Sequence, residues 1–133
     1  MIDTILTTLT DDATLMATLT GGVYRAKEIS RQATPNAYDA NMEIKPCALL
    51  RQESVTPLAP HHDSARAIIT VWFYQRDGYT AIETARARVY ALLHRTQVVG
   101  WDVRHANDLV DMEDPGLGLP MAVSRYVCTI NRA

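Results

Sequence analysis

Apolar residues recur at helical spacing from the start of the chain. Ile2, Ile5, Leu6 and Leu9 form one stripe, with Asp3 in the first turn, where the helix dipole favours an anion. Thr10-Asp11-Asp12 interrupts the stripe, Ala13, Leu15, Met16 and Leu19 resume it, and Gly21-Gly22 stops it. Residues 2–19 are expected as one broken helix or two short ones. Val23 to Ile29 reads as a strand. Residues 30–45 hold the turn formers Ser30, Thr34-Pro35-Asn36 and Asp39-Ala40-Asn41 and little periodicity, so they are expected as a long loop. A loop longer than ~12–15 residues in a compact domain is usually functional, or orders only on a partner.

Pro46 to Arg51 reads as a second strand, and 54–63, with Pro57, Pro60 and His61-His62, as a polar loop. The clearest strand is Ala65 to Tyr74. It puts Ala67, Ile69, Val71 and Phe73 on one face and Ile68, Thr70, Trp72 and Tyr74 on the other, the mark of a central strand covered on both sides. After a turn at 75–78, a helix is expected over 79–95, its buried stripe formed by Ile82, Ala85, Val89, Leu92 and Leu93. Trp101 to His105 alternates as a strand. Residues 111–119 form an acidic, glycine-punctuated connection, and Met121 to Ile130 closes the chain as a long strand.

The order α-β-β-β-α-β-β lacks the repeated βαβ unit of a parallel sheet. The expected fold is therefore a single α+β domain over 1–133. It has an antiparallel, mixed-order sheet of about four to five strands, with one long helix and an N-terminal helix packed on it.

Composition narrows the function. Thirteen basic and fifteen acidic side chains give a net charge of −2, and no run of like charges appears. That disfavours nucleic acid as the main ligand, although a ring of copies still has room for local basic stripes around a channel. Cys47 and Cys128 match no zinc or redox spacing, and read as reduced core thiols. The N-terminus lacks the basic and apolar regions of a signal peptide, and no apolar run is long enough to span a bilayer. Synthesis and residence in a reducing cytoplasm are expected, with no membrane partner.

Candidate chemistry is sparse. His61 and His62 are adjacent, without a metal-binding frame, and read as loop residues. His94 falls at a helix end, where a cation complements the dipole. His105 shares a strand face with Trp101 and Val103 and reads as structural. Asp108, Asp111, Glu113 and Asp114 lack the ligand pattern of a calcium loop and read as a solvated acidic turn that can meet a partner. Ser64 and Ser124 lie in no nucleophile elbow, and neither glycine pair stands where a phosphate would be cradled. No catalytic residue, metal or cofactor is expected. Trp72 and Tyr74 read as core, with a seat under a neighbouring subunit as the alternative.

Five segments in this order resemble the tail terminator, or tail-completion, proteins of long-tailed bacteriophages. They are the Leu-rich N-terminal helix ending in Gly21-Gly22-Val23-Tyr24, the strand Pro46-Cys47-Ala48-Leu49-Leu50, the strand Arg66 to Phe73, the helix from Tyr79 through Leu92-Leu93-His94, and the strand Tyr126 to Ile130. The resemblance implies a virion structural protein in the tail or neck, assembled in the host cytoplasm. Its subunits would form a hexameric ring that caps the tail tube, ends its polymerisation and docks to the head-tail connector or stopper protein, with genome DNA passing through. It carries over no catalytic residue. The long loops at 30–45 and 54–63 depart from the family layout.

A closed ring needs two different patches that meet head to tail. The loops 30–45, 54–63 and 111–119 are the expected axial contacts, with Pro35, Asn36, Tyr38, His61, His62, Asp111, Glu113, Asp114 and Leu117 as the candidate contact residues. Competing readings are a head-side stopper or other neck or minor tail protein, an enzyme or small-ligand domain on an α+β scaffold, and a nucleic-acid accessory protein.

Overall fold

A computed structural model of the chain describes residues 1–58 and 61–131 and, within them, the side chains of all but 61–63 and 131. Helices α1 (Ile2–Thr10) and α2 (Ala13–Thr18) lead into β1 (Gly22–Tyr24). A single 3-10 turn, Pro35–Ala37, interrupts the segment before β2 (Cys47–Leu58) and β3 (His61–Tyr74). Helix α3 (Thr80–Leu93) is followed by β4 (Thr96–Val98), β5 (Trp101–Asp114) and β6 (Leu119–Asn131). The strands form one mixed sheet in the order β1-β2-β3-β6-β5-β4. Among the described strands only β1–β2 is parallel; the other pairs are antiparallel.

The α+β class and the packing of helices on a sheet stand as read from the sequence. The strand count does not: there are six described strands rather than four to five; the N-terminal region forms two short helices, one of the two forms expected for 2–19. Segments expected as loops are strands in two places. Residues 54–58 extend β2 and 61–64 extend β3, so most of the expected 54–63 loop is a hairpin arm; 59–60 lie outside the described residues. Pro57 misled the reading, because proline is tolerated on an edge strand, and β1 covers β2 only as far as Leu49. Likewise 111–114 belong to β5, with only 115–118 as turn. Register shifts between His105 and Asn107 and between Leu109 and Met112 break the alternation by which the sequence would have declared this strand. The expected strand at 23–29 is only three residues long, and β4 had no sequence expectation at all.

Strand β3 organises the core. Ala67, Ile69, Val71 and Phe73 are fully buried, as expected for one face. Against them pack Ile2, Ile5 and Leu9 of α1, Leu15 of α2, and Ile82, Ala85, Val89 and Leu93 of α3. The other face is covered at one end only. Ile29, Ala37 and Ile44 close over Cys47, Leu49, Tyr74, Met121 and Val123 in a second apolar cluster.

The segment 25–46 that supplies this cover is tied together by its own polar side chains. Ser30 and Thr34 exchange backbone and side-chain hydrogen bonds, and Thr34 is 1% exposed. The Asp39 carboxylate accepts from the Asn41 and Glu43 backbone N–H groups, and Lys45 N–H donates to Ala37 C=O at 2.7 Å.

The two glycines after α2 do different work. A Cβ at Gly21 would lie 2.9 Å from the Pro46 carbonyl oxygen, so only glycine lets the chain approach β2 this closely. Gly22 sits at φ +91°, in the left-handed region. Helix α3 has no capping side chain at its own N-cap. Instead the Gln75 side-chain oxygen, reaching across the preceding turn, accepts from the Ala81 and Ile82 N–H groups at 3.0 and 3.2 Å.

The helices are tied by charge as well as by packing. Asp12 caps α2 by accepting from Leu15 N–H, and receives both arms of the Arg88 guanidinium at 2.7 and 2.9 Å. The Arg88 hydrogen bond holds the Asp12 carboxyl at about 2, below its ordinary 3.8.

Two outcomes follow for stability. Phe73→Ala removes a wholly buried ring from the centre of the sheet and is expected to cost about 3–5 kcal/mol in urea unfolding. A carboxyl with a lowered folded-state pKa stabilises above its unfolded value and loses that contribution as pH falls through the folded one. The wild type should therefore lose more stability than Asp12→Asn between pH 3.8 and about 2. Equal slopes for the two proteins in acid titrations would show that the Asp12–Arg88 pair does not contribute.

Candidate assembly surface

The nine candidate contact residues fall at two opposite ends of the sheet. His61 and His62 open β3 at the tip of the β2–β3 hairpin; their side chains lie outside the described residues. The other seven lie toward the far end: Asp114 and Leu117 where the β5–β6 turn meets segment 25–46, and Asp111 on the opposite face, beside Glu83 and Arg86 of α3. Pro35 and Asn36 are exposed on the 3-10 turn, and Tyr38 is half-buried just after it.

Tyr38 and Leu117 share a cleft of about 570 Å³. Met42, Ile44 and Leu119 give it apolar walls, while Glu28, Arg31, Glu43 and Arg76 supply charge around them. Arg76 pairs with Glu43 at 2.6 Å, and Arg31 lies 5.9 Å from the centre of the Tyr38 ring. Met42 is 49% exposed and Leu117 41%, so apolar surface stands open to solvent here. An apolar cleft with a charged rim can take an amphipathic segment of another protein.

Asp114 and Leu117 also line a neighbouring cleft of about 300 Å³, against Leu49, Trp72 and Tyr74. The Arg51 guanidinium sits 5.1 Å from the Trp72 ring centre, and the buried indole N–H has no hydrogen-bond partner. Burial, and then the Asp114 charge, push the Tyr74 hydroxyl well above its ordinary pKa of 10.

The acidic residues do not act as one cluster. Asp114 is structural: one of its oxygens accepts from the Gly116 and Leu117 N–H groups at 2.8 and 2.9 Å and so fixes the turn. Asp108 faces the other way, toward α3, where it meets Arg86 at 3.0 Å and His105 at 2.9 Å. Only Asp111 and Glu113 stand exposed without a cation within salt-bridge distance among the described residues. Asp111 occupies the bulge of β5 at φ +53°.

A second group of polar side chains had no counterpart in the sequence reading. His105, Asp108, Arg86, Tyr90 and Glu83 line a shallow cleft of about 310 Å³ between α3 and β5. Burial opposes the Asp108 charge, but the His105 hydrogen bond and the Arg86 charge outweigh it, and the carboxyl lies below 3.8. The lining includes no serine, threonine, cysteine or lysine. Among the described residues no group of three or more His, Cys, Asp or Glu side chains is placed to hold a metal ion. No described helix is long and apolar enough to cross a membrane.

His94 corrects an expectation. It does cap α3, but it does not act as a cation there: its Nδ1 accepts the backbone N–H of His105 at 2.9 Å, and Tyr90 stacks on the ring with centroids 4.6 Å apart. Desolvation, then the charge of Arg95, lowers its pKa below 6.5. Cys47 and Cys128 are free and buried, and burial pushes their thiols up to about 12 and about 11. Compared with known proteins, the chain matches no family model and no curated protein sequence.

The stabilising form of His94 is the neutral one. Its contribution is present above pH 6.5 and is lost as pH falls through the lower folded-state value. Replacing it by asparagine, a non-titrating acceptor, should flatten the fall in melting temperature below pH 6.5. A variant as acid-sensitive as the wild type would place that sensitivity elsewhere.

Proposed function

We propose that this chain is a virion assembly subunit of the tail terminator kind. In this reading its copies form a ring that caps the tail tube, ends tube polymerisation and presents the surface to which the head-side connector or stopper protein docks. One observation carries the reading beyond the resemblance of the sequence. The two long hairpins run to opposite ends of a single sheet, and each bears exposed apolar residues toward its tip: Val55 and Leu58 on β2–β3, and Leu117 on β5–β6.

A capping ring needs two unlike axial surfaces, one for the tube and one for the connector, and two unlike lateral patches for its own closure. The tips of the opposed hairpins supply the first pair. The long strand edges left open beyond the three-residue strands β1 and β4 contribute to the second. A head-side stopper would use the same architecture and differ only in its layer of the particle. A small-ligand domain would seat its ligand at the His105–Asp108–Arg86 cleft; a monomer that purifies with a tightly held metabolite would favour it.

The test is a reconstruction of the neck of the intact particle by electron cryomicroscopy. A ring of this chain between tail tube and connector is expected, with the Tyr38–Leu117 cleft buried against one of them. A ring in the head-side layer would make the chain a stopper. Absence of the chain from the neck would reject the proposal.

A further inference from the structure

The sheet face opposite the helices is covered by segment 25–46 at one end only, and the rest is open among the described residues. Cross-strand register sets Arg51, Thr70 and Arg125 in one transverse row of that open half. Ile68 pairs with Val127 two residues along, and Arg66 follows two residues beyond. Arg66 and Arg125 are exposed, with no carboxylate within salt-bridge distance among the described residues. Thr70, between two arginines, is 1% exposed, and its hydroxyl has no hydrogen-bond partner.

The same chain carries a matching surface elsewhere. Strand β4 pairs with β5 only as far as Val103, so the outer edge of β5 beyond it is open. On the α3 side that edge exposes Val110 at 47%, beside Asp111 and followed by Glu113, and neither carboxylate has a cation within salt-bridge distance among the described residues; Leu109, paired with Val123, points to the other face. Among the described residues, one patch offers two arginines without a carboxylate around an apolar pair, and the other offers two carboxylates without a cation beside Val110.

We infer that the open half of the sheet is the seat of the β5–β6 hairpin of a second copy of this chain. Asp111 and Glu113 of that copy meet Arg66 and Arg125, while Val110 covers Ile68 and Val127. The two patches differ, so the contact is heterologous. Each subunit engages one neighbour by its face and another by its hairpin, and the assembly closes into a ring or runs on as a filament. The inference rests on the ring reading above and gives it a lateral interface. Nucleic acid is the poorer occupant: the apolar Ile68–Val127 pair interrupts the basic groups that would follow a phosphate backbone, and the chain as a whole is acidic, with net charge −2.

A charge-swap experiment tests the contact. R66E/R125E reverses the face, and D111K/E113K reverses the hairpin. Sedimentation of each, with thermal melts to establish folding, should show self-association weakened at least about 30-fold against the wild type, because like charges now face each other. An equimolar mixture should assemble again, since each variant supplies the charge that the other lost. Two variants that self-associate like the wild type would overturn the contact and leave the ring reading to another interface. A mixture that stays dissociated would also overturn it. So would a wild type that is monomeric at about 1 mM, where a millimolar interface is half formed; the neck reconstruction then decides the ring reading on its own. Binding of a DNA duplex by the wild type, lost in R66E/R125E while self-association is unchanged, would assign the face to nucleic acid instead.

Discussion

Strand β3 has to be kept dry on the face that carries Ala67, Ile69, Val71 and Phe73, and most of the architecture answers that demand. Four consecutive inward positions without a polar atom need a continuous apolar roof. No single short helix provides one. Helices α1 and α2 cover part of the sheet and α3 the rest, and the Asp12–Arg88 pair fixes the two halves of the roof to each other. The close approach at Gly21 then lowers β1 onto β2, which brings segment 25–46 over the opposite face. Covering one face and half of the other stabilises the domain, and leaves the remaining half-face as the place where the sheet is least complete.

How much of this the sequence disclosed depended on whether one local rule acted alone. The faces of β3 were legible because strict alternation runs unbroken from Ala65 to Tyr74. The stripe of α3 was legible for the same reason. The hairpin arms were not, because Pro57 and the left-handed Asp111 are loop markers that an edge strand or a bulge also accepts. The ordering of 25–46 was hidden because its polar residues satisfy its own backbone, whereas the apolar ones that anchor it, Ile29, Ala37 and Ile44, have no common period.

The candidate site was legible in the same uneven way. Tyr38 and Leu117 belong to loops that stood out by length and composition, and they do share a cleft. Met42, Glu43 and Arg76 of that cleft come from separate segments and carried no pattern. The arginine row was invisible for a different reason: Arg51, Arg66 and Arg125 stand on three strands, and only cross-strand register makes neighbours of them. The His105–Asp108–Arg86 group likewise depends on the bulge after His105, which turns Asp108 toward α3 instead of toward the acidic turn.

The buried cysteines bear on what the molecule tolerates over time. Burial pushes the Cys47 thiol up to about 12, and only the thiolate attacks a disulfide or is readily oxidised. Cys47 and Cys128 lie on opposite faces of the sheet, one in each apolar cluster, so the folded chain keeps them apart as well as protonated. The folded chain thus shields both thiols from exchange with each other and with outside disulfides.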